Sequence, residues 1–288
     1  MNYSTYSDQN KLNYRCISGS FLKICAIVIM LIDHLAAGLV LPSIISGDMY
    51  DFLSRFGIDV TLDLEIQIYV FLRGVGRQAF PIFCYLLVEG FMHTHSKARY
   101  SITLAAFALI SEIPFDLGLI TYKAYDTLNL NTIYAEYETQ IWESQNVYFT
   151  LALGVLAMWA ADSILKKLKS INIVLAYAVS IIPFGLTAWL AYYIKTDYDA
   201  RGIAVIAILY YFHSICILAT LLAYIFLTLT MSTPINGGME EWSLPAFMII
   251  NLYNGQRGFI KKNFKYFFYI FYPAHLLLIF FLRYFLLH

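Results

Sequence analysis

Charged residues are scarce in this chain. Asp, Glu, Lys and Arg make up only 13% of its 288 residues, whereas 60% are hydrophobic and the mean hydropathy is +0.65. A soluble protein carries about 25% charged residues, so about half of the expected water-facing side chains are missing. The longest polar interval, from about residue 122 to 145, is too short to fold as a domain. The composition excludes a soluble catalytic domain and predicts a multi-span protein of the lipid bilayer.

Motifs that carry metal, nucleotide or nucleophile chemistry are also missing. No CxxC pair, HExxH helix, GxSxG elbow or Walker-type loop occurs, so we expect no metal site. The four cysteines lie mostly in apolar surroundings and are expected to pack in the core. Basic and acidic residues each number 19, and the net charge of zero gives no electrostatic case for nucleic acid. The first apolar segment lacks a signal-peptide cleavage site and is predicted to remain as a span.

Apolar runs of about 20 residues, each rising 1.5 Å, define the predicted spans. They lie near 21–41, 66–92, 100–120, 146–165, 171–194, 201–213, 214–231, 243–254 and 265–287. The sequence therefore predicts an all-α, polytopic helical bundle of about nine transmembrane helices. Residues 1–20 are expected to form a polar tail, and residues 21–288 a single transmembrane domain.

The distribution of Lys and Arg indicates the orientation of the bundle. With two spans in 201–231, eleven cations fall on the side of the N-terminus and five on the other. This asymmetry predicts a cytoplasmic N-terminus. A single span there would move the four cations of 257–265 outside and reverse the bias, so two spans are favoured. We then expect the loops at 42–65, 121–145, 195–200 and 232–242 to face outside.

Ionisable residues inside two of the apolar segments mark a candidate site. Arg73 and Arg77 lie on one face of the second segment, and Glu112 and Asp116 on one face of the third. Each charge costs a few kcal/mol to insert unless it is paired or lines water. The rise per residue places Arg77 and Glu112 near mid-membrane and the other two about one turn further out. An antiparallel hairpin would pair Arg73 with Asp116 and Arg77 with Glu112, as a structural ladder or as the frame of a reaction chamber.

Two histidines lie deep in apolar segments. His34 follows Asp33 and lies about 13 residues into the first span, level with Arg77. His275 lies about 10 residues into the last span, after a Tyr-Pro-Ala run. An imidazole beside a carboxylate and an ion pair can serve proton transfer, so His34 is a candidate base. The alternatives are a hydrogen-bonded core histidine for His34 and a contact that relieves the proline kink for His275.

Short motifs along the chain carry a family resemblance. They are LKI at 22–24, LIDH at 31–34, RGVGRQAFPIF at 73–83, LVEGF at 87–91, SEIPFD at 111–116, QNV at 145–147, YNGQRG at 253–258 and FYPAHL at 271–276. Together they resemble the TraX family, named for a conjugal-transfer protein that acetylates the N-terminus of pilin. The resemblance runs from about residue 20 to the end of the chain.

TraX proteins are similar in turn to a wider group of membrane acyltransferases. This group includes the acyltransferase-3 proteins and heparan α-glucosaminide N-acetyltransferase. Acyltransferase-3 proteins have an arginine, ten residues and then an essential histidine in the first span, and Lys23 and His34 have the same spacing here. The lysine departs from the pattern and weakens a bidentate phosphate contact. The resemblance implies that 21–288 is an acyltransferase-like domain, which uses acetyl-CoA from the cytoplasmic side of a bacterial inner membrane.

The resulting hypothesis is acetyl transfer to an amine or hydroxyl of an unknown acceptor, such as a protein N-terminus or an envelope glycan. His34 would act as the base, Asp33 or Glu112 would orient it, and Arg77 or a helix dipole would stabilise the oxyanion. Arg73, Asp116 and His275 complete the catalytic candidates. The candidates for binding acetyl-CoA are Lys23, Lys97, Arg99, Arg257, Lys261 and Lys262.

Two other classes of function use the same residues. In a proton- or ion-coupled transporter, the buried acids and His34 would form a relay. The absence of an inverted sequence repeat argues against this alternative. In a non-catalytic assembly protein of an envelope machine, the charges would serve only to pair helices.

Overall fold

The structure, a computed structural model, describes residues 15–58, 61–121, 129–231, 238–260 and 264–287. These residues form helices and no β-strand. The α-helices are α1 Gly19–Leu35, α2 Leu41–Ser46, α3 Asp48–Ser54, α4 Leu62–Gly76, α5 Ala79–His93, α6 Lys97–Phe115, α7 Leu130–Glu136, α8 Glu138–Trp142, α9 Val147–Leu168, α10 Ile173–Ser180, α11 Ile182–Tyr193, α12 Asp199–Tyr211, α13 Cys216–Met231, α14 Leu244–Asn251 and α15 Lys265–Leu286. The all-α prediction is confirmed for this part of the chain.

Five helices of the described residues are long and apolar enough to span a membrane. They cover Gly19–Ser46, Lys97–Ile120, Val147–Leu168, Ile173–Tyr193 and Tyr266–Leu286. Each matches one of the nine predicted spans. The other four predicted spans form shorter or interrupted helices, so the number nine and the cytoplasmic N-terminus stay predictions.

The interval 201–231 folds as two helices, as the cation distribution indicates. α12 ends at Tyr211, and α13 begins at Cys216 and packs against it. The turn between them begins with Phe212, whose N–H donates to the carbonyl of Ile208. The chain therefore reverses here.

The predicted span at 66–92 is observed as two helices. α4 ends at Gly76 and α5 begins at Ala79, so the helix is interrupted at Arg77 and Gln78. Glycine weakens the end of α4, and Pro81 lacks the N–H that would bond to the carbonyl of Arg77. The interruption places Arg77 at the C-cap of one short helix.

Two π-helical turns extend the first and third spans. Ala36–Val40 follows α1, and Asp116–Ile120 follows α6. Such turns shift backbone carbonyls out of the α-helical ladder. The buried Arg283 of α15 donates to the carbonyls of Gly38 and Gly118 at 3.0 and 3.2 Å. Arg283 thus links both π-helical turns to α15, the last helix.

The core packs around α9, which contacts α6, α10, α11 and α12. α1 lies to one side and packs on α4, α5 and α15. Gly76 is essential to this arrangement, because a Cβ on it would overlap Asp33. The close approach of α4 and α1 brings the charged end of α4 to Asp33 in the last turn of α1.

Candidate functional site

A cavity of about 320 Å³ lies among α1, α5, α6, α9 and α15. Lys23 and Thr94 line one end, and Asp33 and His34 line the other. Lys23 and His34 are separated by roughly 16 Å of helix. Apolar and aromatic side chains form most of the wall between them. The cavity is therefore a long slot with a cation at one end and a histidine at the other.

The two deep histidines meet at this site. Nδ1 of His34 lies 2.6 Å from Nε2 of His275, with the rings nearly parallel at 2°. His34 lines the cavity, whereas His275 lies behind it and is only 4% exposed. Depth along the helices suggested both residues, and the structure adds that they bond to each other.

The hydrogen bonds of His275 define the tautomers of both rings. Nδ1 of His275 lies 2.7 Å from the carbonyl oxygen of Phe271. A carbonyl only accepts, so this Nδ1 carries the hydrogen, and Nε2 of an uncharged His275 must accept. Nδ1 of His34 is therefore the donor in the bond between the rings. Nε2 of an uncharged His34 then keeps its lone pair, and it has no partner among the described residues.

Aromatic side chains hold the two imidazoles in place. The ring of Phe271 stacks on His275 with centroids 4.9 Å apart. Tyr272 presents an edge to both histidines at 5.8 and 5.7 Å. The carbonyl oxygen of Tyr269, which Pro273 leaves without its helical donor, lies 3.5 Å from the hydroxyl of Tyr148, and that hydroxyl lies 3.4 Å from the carbonyl oxygen of Phe268. His275 donates to Phe271 instead, so it does not satisfy the carbonyl that the proline frees.

The charged residues of α4 pair with α1 rather than with α6. Arg73 lies 2.6 Å from Asp33, and Arg77 lies 3.6 Å from the same carboxylate. Arg77 also reaches the buried Glu240 at 3.4 Å. The predicted pairs of Arg73 with Asp116 and Arg77 with Glu112 are wrong. The cause is topological, because α1 packs on α4 whereas α6 packs on α9 and α15.

Glu112 and Asp116 have other partners. Asn146 donates to Glu112 from its side chain, and from its backbone N–H at 3.3 Å. The hydroxyl of Tyr134 donates to Asp116 at 3.2 Å. Neither acid lines the cavity that contains His34. The structure therefore does not bring Glu112 to His34, and His275 occupies the ring nitrogen that an orienting acid would bind.

Of the described cationic candidates, Lys23 lines the slot and Arg257 lies close to the first turn of α1. The ammonium of Lys23 lies 5.6 Å from the ring centre of Phe268. Lys97, the first residue of α6, donates to the carbonyl of Phe91 at 2.6 Å, so the last turn of α5 holds its side chain. Arg99 and Arg257 are exposed, and the loop of Arg257 is bonded to the first turn of α1 through Ser20. The last two candidates, Lys261 and Lys262, lie outside the described residues.

Two residues of the site were not predicted from the sequence. Asp197 and Tyr198, in the loop between α11 and α12, line the cavity beside Asp33 and His34. Burial raises the pKa of Asp197 to about 6. They belong to a short polar loop outside every predicted span, and the only sequence signal is an acid next to an aromatic residue. Depth along a helix gives no information on a loop that folds back into the bundle.

The fold and the site together define a class of protein. It is a helical bundle with membrane-length apolar helices around a slot that ends at a buried histidine pair. Within that class, the chain belongs to the TraX family: the family described as TraX protein matches residues 18–283. The resemblance seen in the motifs is confirmed, while the link to the acyltransferase-3 and heparan enzymes stays a prediction.

A curated relative extends this comparison. The chain is 29% identical over 218 residues to a protein of Dichelobacter nodosus named probable fimbrial assembly protein FimC, serogroup H1. The match covers 73% of this chain and 82% of the relative. No solved structure matches the chain.

Proposed function

We propose that this protein is an integral membrane acetyltransferase, which moves an acetyl group from acetyl-CoA to an amine or hydroxyl of an acceptor. The observation that carries the proposal is the bonded pair of His34 and His275 at the end of the slot. A histidine whose second nitrogen is held by a fixed acceptor is the arrangement of a general base. Membership of the TraX family supports the same chemistry.

The slot suits the thioester arm of acetyl-CoA. A narrow, mostly apolar passage can accept the pantetheine chain, while Lys23 at its mouth can meet the phosphates. Arg99 and Arg257 are exposed nearby and can contribute further charge. The thioester would then lie beside His34. This geometry supports entry of acetyl-CoA at the end where α1 begins, which is the predicted cytoplasmic side of a bacterial inner membrane.

The proposed reaction begins with proton transfer from the acceptor to Nε2 of His34. The acceptor nitrogen or oxygen attacks the thioester carbonyl, and a tetrahedral intermediate forms. When the C–S bond breaks, the proton on His34 passes to the departing CoA thiolate. His275 keeps its acceptor nitrogen toward His34 throughout, and so stabilises the transient imidazolium by a hydrogen bond.

The charged cluster behind the site has a supporting role in this proposal. Asp33 lines the cavity next to His34 and is neutralised by Arg73 and Arg77. An unpaired carboxylate there would disfavour the negative charge that develops on the thioester oxygen. The two arginines therefore keep the wall compatible with an oxyanion.

The acceptor is expected in the cell envelope. Fimbrial assembly, which the name of the Dichelobacter relative states for that protein, favours a protein N-terminus or an envelope glycan over a cytoplasmic metabolite. A proton-coupled transporter would also use buried acids, but no contact in the described residues links Glu112 or Asp116 to the histidine pair.

The test is release of CoA by purified protein in liposomes that contain acetyl-CoA and candidate acceptors. Wild-type protein should release CoA, and His34→Ala should reduce the rate about 10²–10⁴-fold, as loss of a general base does. His95→Ala, an exposed loop histidine, is the matched control and should retain full activity. Wild-type rates in His34→Ala would remove His34 from the mechanism, and acetyl-CoA-independent solute uptake would favour a transporter.

A further inference from the structure

The loop that joins α11 to α12 adopts an unusual backbone. Lys195, Tyr198 and Asp199 all have positive φ angles, of 58°, 61° and 39°. Residues with a side chain avoid this region, and they remain there only where their surroundings hold them. Among the described residues, every other positive φ angle belongs to a glycine. Backbone strain is therefore concentrated in one five-residue loop.

Contacts to α9 and α5 explain how the loop keeps this shape. Gln145, just before α9, donates its N–H to the carbonyl of Lys195 at 2.9 Å and accepts from the N–H of Asp197 at 2.8 Å. The hydroxyl of Thr150 bonds to that of Thr196 at 2.9 Å. The ring of Tyr198 stacks on Phe80 with centroids 3.6 Å apart. The loop is fixed to the wall of the cavity on both sides.

The fixed loop presents one carboxylate to the cavity. Asp197 is surrounded by protein atoms, the residue keeps solvent-accessible surface, and it lines the slot. Asp33, on the same wall, is neutralised by Arg73. Within the described ranges no cation lies at ion-pair distance from Asp197. The charges of Arg73 and Arg77 act on Asp197 and oppose the rise in its pKa, but both guanidinium groups form their ion pairs with Asp33 or Glu240. Among the described residues, Asp197 therefore has no ion-pair partner of its own.

We propose that Asp197 binds the hydrogen-bond-donating group of the acceptor and aims it at Nε2 of His34, an inference that rests on the proposed acetyl transfer. A carboxylate can accept from an ammonium, an amine or a hydroxyl, and it repels phosphate and carboxylate groups. Lys23 lies at the opposite end of the slot. The two substrates then enter from opposite ends: acetyl-CoA at Lys23 and the acceptor at the loop of Asp197.

Steady-state kinetics with small acceptors test this role. Glycinamide serves as the amine probe and N-acetylserinamide as the hydroxyl probe. Asp197→Asn should raise the KM of the probe that is used by at least about tenfold, the loss of one charge-assisted hydrogen bond. The KM of acetyl-CoA should not change, and Asp197→Glu should recover part of the acceptor affinity. An unchanged acceptor KM, or an equal rise for acetyl-CoA, would overturn the proposal.

Asp199→Asn is the matched control, because Asp199, where this loop ends and α12 begins, pairs with Arg201 and does not line the cavity. It should leave both KM values within about twofold of wild type, as a substitution that contacts neither substrate does. An effect equal to that of Asp197→Asn would show that both act through the fold of the loop, and it would also overturn the proposal.

A labelling experiment decides the role of Asp197 without any turnover. A water-soluble carbodiimide with glycine ethyl ester should modify Asp197 in preference to the neutralised Asp33. N-acetylserinamide, which has no amine to compete in the coupling, should slow this modification. Mass spectrometry of the peptides locates the label. An unlabelled Asp197, or labelling that N-acetylserinamide does not slow, would contradict the inference. No CoA release from wild-type protein with either probe would count against the proposed function instead, and the labelling result would still stand.

Discussion

The ring of His275 has both nitrogens engaged, one with Phe271 and one with His34. In a serine-protease triad a carboxylate fixes the tautomer of the base. In the proposed reaction a second imidazole, itself fixed by a backbone carbonyl, has that task. An uncharged pair of imidazoles suits an apolar bundle, where a buried unpaired charge is costly.

Substitution of His275 tests whether it acts through His34. His275→Ala should lower kcat about 10²-fold or more, because His34 loses its fixed acceptor, while the KM of acetyl-CoA changes little. His275→Asn, whose side-chain oxygen can still accept, should recover part of the loss. Kinetics of the purified variants provide the measurement. Equal activity in His275→Ala and wild type would make the bond between the rings merely structural.

A second prediction concerns the pair of Arg77 and Glu240. Glu240 is only 4% exposed, so Arg77→Met should leave a buried unpaired acid and reduce stability by about 3–5 kcal/mol. The double variant Arg77→Met, Glu240→Gln should regain much of this loss. Thermal unfolding in detergent measures the effect.

Lys166→Met is the control for this double-mutant cycle of Arg77 and Glu240. Its partner Asp162 is one helical turn away on an exposed face, and such pairs contribute only about 0.3–0.5 kcal/mol. Strictly additive losses in the Arg77 and Glu240 cycle would show that the two side chains do not interact.

The depth of each site residue along its helix could be predicted from the sequence, but its interaction partners on other helices could not. Counting residues correctly placed His34 in the middle of its span, and both deep histidines belong to the site. The same count assigned Arg77 to Glu112, because it took the nearest helix in sequence as the nearest in space. Asp33 is the true partner, and nothing in residue spacing identifies α1 as the neighbour of α4.

At the scale of elements, the close contact between α4 and α1 depends on a glycine, Gly76, at the crossing point. A Cβ on Gly76 would overlap the carboxylate of Asp33. Gly76→Ala should therefore push α4 away from α1, weaken the ion pairs of Asp33 and reduce both thermal stability and acetyl transfer. The expected loss of stability is about 1–3 kcal/mol, the range for overpacked sites.

Gly185→Ala is the matched control for this substitution. Gly185 lies in α11 with open space around it, so alanine should be neutral or stabilise the helix by up to about 1 kcal/mol. Thermal unfolding of the two variants side by side makes the comparison. If Gly76→Ala is as stable as wild type, the close approach of the two helices is not essential.

The predicted elements were most accurate where long apolar runs exist. The last span, predicted at 265–287, is observed as Lys265–Leu286. The cation count also separated α12 from α13 correctly. Hydropathy stays high across the break between α4 and α5, so the sequence signals of an interruption are Gly74, Gly76 and Pro81. The loop of Asp197 was missed because its role depends on contacts with α9, which are distant in sequence.

At the scale of the whole molecule, the proposal that the two substrates enter the cavity from opposite ends depends on how the bundle is oriented in the membrane. The prediction is that the loop before α9 faces outside and the turn after it faces the cytoplasm. Glu143 and Ser170 are exposed positions that flank α9. In a background without the four native cysteines, Glu143→Cys should react with an impermeant maleimide in intact cells. Ser170→Cys should react only after the cells are permeabilised, and the reverse pattern would invert the orientation.

The central claim is acetyl transfer that depends on His34. Its most direct test is mass spectrometry of envelope proteins and glycans from cells that lack the gene, carry it, or carry His34→Ala. The account predicts that at least one envelope species gains the mass of an acetyl group with the wild-type gene, and that this species stays unmodified in the other two strains. An identical acetylation pattern in all three strains, with His34→Ala present in the membrane at wild-type level, would contradict it.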